Sequence, residues 1–157
     1  MPDRSRWLFL AYRLPREPST PRITLWRRLK RLGVVQVLDG LVALPLDARN
    51  REQLEWLAED VIEAGGEASI WKAEPTTSRQ ERRLVEDMQA AIAAEYIDLT
   101  RAASVAEVQP PEVRRRTLSR LRKQFRRIQR RDYFPPPERD EAKQALEQLA
   151  TRVEVRQ

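Results

Sequence analysis

The stretch Trp7–Gly33, WLFLAYRLPREPSTPRITLWRRLKRLG, predicts a buried strand that leads into an amphipathic helix. Trp7–Tyr12 is a short apolar and aromatic run, which is typical of a strand with both faces covered. Pro15 and Pro18 cannot donate to a β-ladder, so the strand is expected to end before them. Between Thr20 and Gly33 the apolar residues are spaced as on one face of a helix.

The predicted helix has one apolar face and one cationic face. Thr20 is the expected N-cap and Pro21 takes the first helical position, where a missing N–H leaves no helical bond unmade. Gly33 is expected just beyond the end of the helix. The apolar stripe consists of Leu25, Trp26, Leu29 and Leu32. The cationic face consists of Arg22, Arg27, Arg28, Lys30 and Arg31.

The following segment predicts a hairpin, a second helix and a last strand. Asp39-Gly40 between β-rich runs predicts strands near Val34–Leu38 and Leu41–Leu44; the alternative is one longer strand with a bulge at Gly40. Asn50 is the expected cap of the second helix, and Glu67–Glu74 is the expected last strand. The buried stripe of this helix is expected to be Leu54, Leu57, Ala58, Val61 and Ile62.

The order of these elements predicts an α+β fold. Strand, helix, strand, strand, helix, strand is the βαββαβ order of a ferredoxin-like module, expected over residues 1–75. The extension over residues 76–157 is expected to be helical. Ser78 to about Ala103 and Val113–Arg131 are expected to form an antiparallel αα-hairpin, which a C-terminal helix near Glu138–Arg152 follows. The second of these helices has a strict apolar seam with spacings of three, four and three, Leu118, Leu121, Phe125 and Ile128.

The composition excludes several kinds of chemistry. The chain has no cysteine and no histidine, which removes disulfides, thiolate nucleophiles and the commonest general base and metal ligand. No cofactor and no metal are expected. The run Trp7–Tyr12 is too short to span a membrane, which takes about 20 residues, and it lacks a signal-peptide cleavage site. A cytoplasmic protein with no membrane partner is therefore expected.

Charge is distributed unevenly along the chain. Residues 1–31 carry nine Lys or Arg against two Asp or Glu, and residues 32–112 carry seven against sixteen. Residues 113–131 carry ten against none, and residues 132–157 carry four against six. Basic segments of this kind predict a polyanionic partner, with nucleic acid as the first candidate.

Two helix faces are the candidate nucleic-acid contacts. The first is the cationic face of the helix before Gly33, for which a plain solvated surface is the alternative. The second comprises Arg114, Arg115, Arg116, Arg120, Arg122, Lys123, Arg126 and Arg127. Like charges four residues apart repel, so this helix needs a compensating partner. That partner is a nucleic-acid backbone, the acidic residues of the preceding helix, or both. The acidic residues are Glu81, Glu86, Asp87, Glu95 and Asp98.

The stretch quoted above, followed by the LDG turn, REQLEWLAEDVIEAGGEASIW and DYFPPP, resembles the N-terminal domain of ChrB, a family of chromate-resistance regulators. The resemblance covers about residues 6–150 and is most specific in YRLPREPSTPR and LWRRLKRLG. It implies a cytoplasmic, chromate-responsive regulator that binds double-stranded DNA. Full-length members carry a second, C-terminal domain that this sequence does not include, which leaves the location of sensing open.

A more distant resemblance is to the ferredoxin-like module of PaaX-type repressors and of the small CRISPR-associated nuclease. The nuclease holds a divalent metal with an acidic residue at the end of its first strand. Here that strand ends Ala11-Tyr12-Arg13, and an arginine would repel the cation. The resemblance therefore implies no nuclease activity.

A candidate oxyanion site surrounds the start of the first helix. Free N–H groups and a partial positive charge at a helix N-terminus favour a bound anion, and chromate is a tetrahedral oxyanion. The alternative is an ordinary N-cap with surface arginines nearby. The candidate residues are Arg13, Arg16, Ser19, Thr20 and Arg22.

Three other functions are weighed against DNA-binding regulation. A non-specific nucleic-acid binder would satisfy the charge pattern alone. A non-catalytic adaptor would use the αα-hairpin to dock a partner protein. An enzyme is not expected, because chromate reduction needs thiols or a redox cofactor and the chain has no cysteine and no Gly-rich nucleotide loop. A homodimer would suit a two-fold operator, although no residue pattern specifies its interface.

Overall fold

The computed structural model describes residues 7–155, so the parts of the predicted domains at residues 1–6 and 156–157 lie outside the described residues. The elements are β1 (Trp7–Arg13), α1 (Thr20–Leu32), β2 (Val35–Leu38), β3 (Leu41–Pro45), α2 (Ala48–Glu63), β4 (Glu67–Ala73), α3 (Ser78–Ala106), α4 (Pro111–Arg130) and α5 (Glu138–Glu154). This order confirms the predicted α+β class.

The chain divides into two compact units. We call described residues 7–86 the N-terminal unit and residues 87–155 the C-terminal unit. The division falls inside α3, whereas the predicted boundary after residue 75 falls between β4 and α3. No helix in the described part of the chain is long and apolar enough to cross a membrane.

The N-terminal unit is built on an antiparallel sheet with the strand order β2-β3-β1-β4. This is the strand order of the predicted ferredoxin-like module, with β1 paired on both sides. The β2–β3 hairpin turns at Asp39-Gly40, as predicted. The irregularity in its ladder lies between Gln36 and Leu38, not at Gly40, so two separate strands form.

Apolar side chains hold the two helices of this unit on the sheet. Leu8 and Leu10 of β1 lie opposite Leu44 and Val42 of β3, so all four share one face, and all are fully buried. The buried helix residues are Leu25 and Leu29 of α1 and Leu54, Leu57, Ala58 and Val61 of α2. Burial of each large aliphatic side chain contributes about 1.5–3 kcal/mol relative to its exposure to water, so this layer stabilises the packing of the helices on the sheet.

Both predicted helix caps were placed on the wrong residue. Ser19 is the N-cap of α1, and Thr20 is already helical. Asp47 caps α2, because its Oδ1 accepts a hydrogen bond from the Asn50 N–H at 2.6 Å. The Asn50 side chain is buried, and its Nδ2 donates to the Pro45 carbonyl at 2.9 Å. Asn50 therefore ties the helix to the end of β3 and does not cap it.

Two further predictions about these helices have opposite outcomes. Gly33 ends α1 in the left-handed conformation with φ 80°, as predicted. Ile62 was predicted to be buried, but its side chain is 57% exposed. The stripe of α2 that faces the sheet runs through Val61, and the next position turns about 100° away from it.

The C-terminal unit has a core formed by three helices. Its buried residues are Ile92, Tyr96, Leu99, Ala103, Ala106, Leu118, Leu121, Ile128, Ala142, Leu146 and Leu149. The ring of Phe125, half-buried on α4, lies 5.6 Å from that of Tyr96 on α3. Tyr96 also contacts Asp132 and Glu95 contacts Arg131, so the middle of α3 lies against the chain at the end of α4.

Candidate functional site

Helix α4 carries its cations on the faces that its apolar seam leaves free. Leu118, Leu121 and Ile128 are buried, and the half-buried Phe125 completes the predicted seam with spacings of three, four and three residues. Pro111 starts the helix directly after its N-cap, Pro110. The remaining positions are then directed away from the core of the C-terminal unit.

The exposed cations of α4 form two parallel rows. The flank row is Arg115, Ser119, Arg122 and Arg126, which with Leu118 and Val153 lines a cleft of about 290 Å³. The outer row is Arg116, Arg120, Lys123 and Arg127, on the side opposite the seam. Both rows advance by four, three and four positions, the spacing that keeps side chains on one side of a helix.

The seven cations of these rows have no acidic partner among the described residues. None of them takes part in an ion pair or a side-chain hydrogen bond within residues 7–155. The acidic residues of α3 account for one cation at the end of the basic segment, since Glu95 forms a two-pronged ion pair with Arg131 at 2.7 and 2.9 Å. The mutual repulsion of the two rows is therefore left uncompensated.

Arg114 differs from the other predicted contacts on α4. Its Nη1 donates to the Gln109 carbonyl at 2.8 Å, across the turn that precedes the helix. Its Nε is buried and has no hydrogen-bond partner among the described residues. Arg114 therefore secures the α3–α4 turn, and the rows that face outward begin at Arg115.

The five cationic side chains of the α1 face lie in three different environments. Arg28 forms an ion pair with Asp60 of α2, which joins the two helices. Arg31 is exposed. Arg22, Arg27 and Lys30 line a groove beside the helix. Of the five predicted nucleic-acid contacts on this helix, Arg28 is thus occupied inside the unit.

The groove lies between α1, the end of β1 and the β2–β3 hairpin, and we call it the α1 groove. Its volume is about 1050 Å³. It is lined by Tyr12, Arg13, Leu14, Arg16, Ser19, Arg22, Ile23, Trp26, Arg27, Lys30, Gln36, Asp39 and Gly40. Five of these residues are cationic and one is acidic, so the groove is an electropositive concavity.

Three of the five candidate oxyanion residues line this groove without an ion pair in the described chain. Arg16, Ser19 and Arg22 line it and take part in no ion pair there. Arg13 also lines it, but its guanidinium lies 2.8 Å from a Glu67 carboxylate oxygen. Thr20 is exposed outside the lining. Oxyanion binding by this set stays a prediction.

Two lining residues of the groove, Tyr12 at the end of β1 and Gly40 in the β2–β3 turn, approach each other closely. The Tyr12 N–H donates to the Gly40 carbonyl at 2.8 Å, and a Cβ on Gly40 would lie 2.5 Å from the Tyr12 carbonyl oxygen. Burial raises the pKa of the Tyr12 hydroxyl, with Arg22 acting to lower it and Asp39 acting to raise it further. The hydroxyl is therefore a neutral hydrogen-bonding group in the lining of the groove.

Several lining residues were missed because the sequence pattern placed them elsewhere. Tyr12 and Trp26 were assigned to the apolar strand and the apolar stripe, and Gln36 and Asp39 to a hairpin. One signal was available: an antiparallel hairpin next to β1 brings its turn to the end of β1, where the arginines begin. Within the described residues, no group of three acidic side chains is placed to hold a metal ion.

Comparison with known proteins assigns the family. A profile described as "Protein ChrB, N-terminal" matches residues 22–155. The chain belongs to the ChrB N-terminal family. Protein ChrB of Cupriavidus metallidurans is 28% identical over 131 residues, which are 82% of this chain and 40% of that protein. The chain thus spans less than half the length of this curated ChrB relative.

The ChrB match covers the two surfaces unequally. It includes all of α4 with both cationic rows, and α1 from Arg22 onward. Arg16 and Ser19, at the entrance of the α1 groove, precede the matched residues. The cationic face of α4 therefore lies wholly inside the residues that match the ChrB N-terminal profile.

Proposed function

We propose that this chain is a cytoplasmic, non-catalytic regulatory domain of chromate resistance that binds double-stranded DNA through α4 and responds to chromate. Membership of the ChrB family supports the regulatory role. The observation that carries the DNA contact is the pair of uncompensated rows on α4. A surface of this kind favours a ligand that brings many negative charges at regular intervals.

The dimensions of α4 suit the DNA backbone. The outer row from Arg116 to Arg127 extends about 16 Å at 1.5 Å per residue. The major groove of B-DNA is about 12 Å wide, and phosphates follow each strand at about 3.4 Å along the axis. Two rows on adjacent sides of one helix match the two phosphate walls of a groove that the helix enters. Arginine suits this contact because its planar fork binds phosphate oxygens in pairs.

The deciding experiment is a DNA titration followed by fluorescence anisotropy. One duplex carries the DNA upstream of the gene for this protein, and the other carries the same bases in scrambled order. Both are titrated over a series of salt concentrations, alone, with chromate and with sulfate. We expect tighter binding to the upstream duplex, and we expect chromate but not sulfate to weaken it.

The other outcomes contradict the proposal in distinguishable ways. Equal and steeply salt-dependent binding to both duplexes, unmoved by chromate, would identify a non-specific nucleic-acid binder. Weak binding that does not depend on salt would favour the adaptor, because docking of a protein does not release a counterion atmosphere.

The proposed homodimer has a separate test. A molecular mass of the DNA complex that corresponds to two chains per duplex would establish it.

The non-catalytic part of the proposal has its own test. Chromate is incubated with the protein and a nicotinamide reductant, and its absorbance is followed over time. The absence of cysteine and histidine leads us to expect the same slow loss as without protein. Loss of chromate in proportion to the protein concentration would overturn this expectation.

A further inference from the structure

We propose that the α1 groove binds a nucleoside monophosphate, with its phosphate between Arg16 and Arg22 and its base against Trp26. This proposal goes beyond the regulatory function proposed above. It concerns the N-terminal unit alone, so it does not depend on whether α4 binds DNA.

The size of the groove favours such a ligand over a lone oxyanion. A water molecule takes about 30 Å³ of liquid, so an anion with four oxygens takes about 120 Å³. The groove is open to solvent and its volume of about 1050 Å³ exceeds the range of about 300–1,000 Å³ for sites that enclose small organic ligands, so a ligand of that size occupies only part of it. An oxyanion at the arginines would leave most of the lining uncovered.

The phosphate end is formed where the chain enters α1. Arg16 and Arg22 lack ion-pair partners within the described residues, and the Ser19 side chain makes no capping hydrogen bond. These groups offer two guanidinium forks and a hydroxyl to one anion. Arg13 contributes less, because Glu67 already neutralises it and both side chains are 78% exposed. A phosphate monoester fits these donors and carries a substituent into the rest of the groove.

The middle of the groove offers a ring surface. Trp26 lies one helical turn after Arg22 and is half-buried. The Lys30 ammonium, another lining group, lies 5.5 Å from the centroid of the Trp26 ring. Trp26 therefore lines the groove and carries the Lys30 ammonium over one face of its indole, so a base that stacks on this face takes the place of the ammonium. Nucleic-acid bases stack on such faces, with about 1–3 kcal/mol per base.

The wall opposite α1 supplies hydrogen bonds of the kind that a sugar needs. The Gln36 side-chain amide donates a hydrogen bond of 3.3 Å to Asp39 Oδ1, which orients the carboxylate at the turn of the hairpin. Tyr12, which also lines the groove, adds a neutral hydroxyl. Carboxylates accept hydrogen bonds from ribose hydroxyls in nucleotide sites. The Asp39 carboxylate repels a lone anion in this groove, whereas it accepts hydrogen bonds from the sugar hydroxyls of a nucleotide.

Calorimetric titration of the full chain with four probes tests the proposal without any mutation. The probes are adenosine monophosphate, ribose 5-phosphate, inorganic phosphate and adenosine. We expect one site for adenosine monophosphate, at least tenfold tighter than for inorganic phosphate or adenosine, with ribose 5-phosphate between them. Adenosine monophosphate no tighter than inorganic phosphate would overturn the proposal and leave a simple oxyanion site.

Variants then separate the groove from the basic surface of α4. Arg22→Gln is expected to weaken adenosine monophosphate binding at least tenfold. Its matched control, Arg31→Gln, removes the same charge from the same helix outside the groove and should change binding by less than twofold. The double variant Arg122→Gln/Arg126→Gln should also leave it unchanged. If that double variant weakens binding as much as Arg22→Gln does, the nucleotide binds α4 as a polycation and the proposal fails.

Discussion

The Tyr96 hydroxyl donates a hydrogen bond of 2.8 Å to Asp132 Oδ2, which joins the middle of α3 to the chain just after α4. The ion pair of Glu95 with Arg131 lies beside it, one residue earlier in each segment. Burial and the bond to Asp132 both raise the pKa of Tyr96, so the hydroxyl keeps its proton. These two neighbouring pairs fix the end of α4, and with it the orientation of the cationic rows.

Tyr96→Phe is expected to destabilise the protein by about 1.5–3 kcal/mol, the range for a hydrogen bond to a charged group. The variant keeps the ring packing but leaves the Asp132 carboxylate without its donor. The second oxygen of this carboxylate, Asp132 Oδ1, is buried and has no hydrogen-bond partner in the described chain. The measurement is urea denaturation followed by circular dichroism. Asp132→Asn is the comparison, since its amide oxygen can still accept from Tyr96 and a smaller loss is expected. Equal stability of Tyr96→Phe and wild type would show that this bond contributes nothing.

The same carboxyl group predicts a specific pH dependence. Burial raises the pKa of Asp132 above its ordinary value, with the Tyr96 hydrogen bond and Arg139 opposing. The folded state therefore holds this proton more tightly than the unfolded state. Its contribution to stability is greatest below the unfolded value and decreases as pH rises towards the folded pKa. The difference in unfolding free energy between wild type and Asp132→Asn should fall over that weakly acidic range. Asp98→Asn, at an exposed position of α3, is the control, and an identical pH profile for both variants would refute the assignment.

Local patterns predicted the elements of this fold, because their signals do not depend on distant contacts. Gly33 ends α1 in a left-handed conformation that favours glycine, and Asp39-Gly40 forms the turn that its neighbours indicate. The seam of α4 was predicted because a strict spacing of three and four leaves one face to bury. Each of these signals lies within one or two turns of chain.

Features set by tertiary contacts escaped prediction. Asn50 and Asp47 are equally good caps by residue type, and the choice follows from the Pro45 carbonyl that takes the Asn50 side chain. Arg28 is one of several similar cations along α1, and only the packing of α1 on α2 brings Asp60 to it. Trp26 has the spacing of a core residue, yet the edge of the sheet leaves it beside the groove.

Gly40→Ala is expected to destabilise the protein more than Gly65→Ala. Both glycines have positive φ, 77° and 88°, so alanine at either position incurs about 1–2 kcal/mol of backbone strain. At Gly40 the new Cβ would also lie 2.5 Å from the Tyr12 carbonyl oxygen, whereas at Gly65 the nearest atom lies 3.9 Å away on Pro15. Thermal denaturation of the two variants isolates the cost of the clash. Equal losses would mean that the hairpin can move away from β1 freely.

Arg28→Gln is expected to have a small effect on stability and none on DNA binding. The ion pair with Asp60 is partly exposed, with side-chain exposures of 35% and 49%, and pairs of this kind contribute about 0–1 kcal/mol. Asp60→Asn should cost about the same, and the double variant should cost no more than either. Anisotropy titrations should give one salt dependence for Arg28→Gln and wild type. A reduced dependence would show that Arg28 leaves Asp60 to contact phosphate.

The double variant Arg122→Gln/Arg126→Gln should lower the salt dependence of DNA binding by a predictable amount. Each phosphate neutralised contributes about 0.9 to the slope of log affinity against log salt, so loss of two contacts should reduce the slope by about 1.8. Both arginines lie in the flank row and have no acidic partner in the described chain, so little stability should be lost. Arg79→Gln/Arg82→Gln is the matched control, because it removes the same charge from exposed positions of α3. A general charge effect would change both slopes alike, whereas phosphate contacts by α4 change only the first.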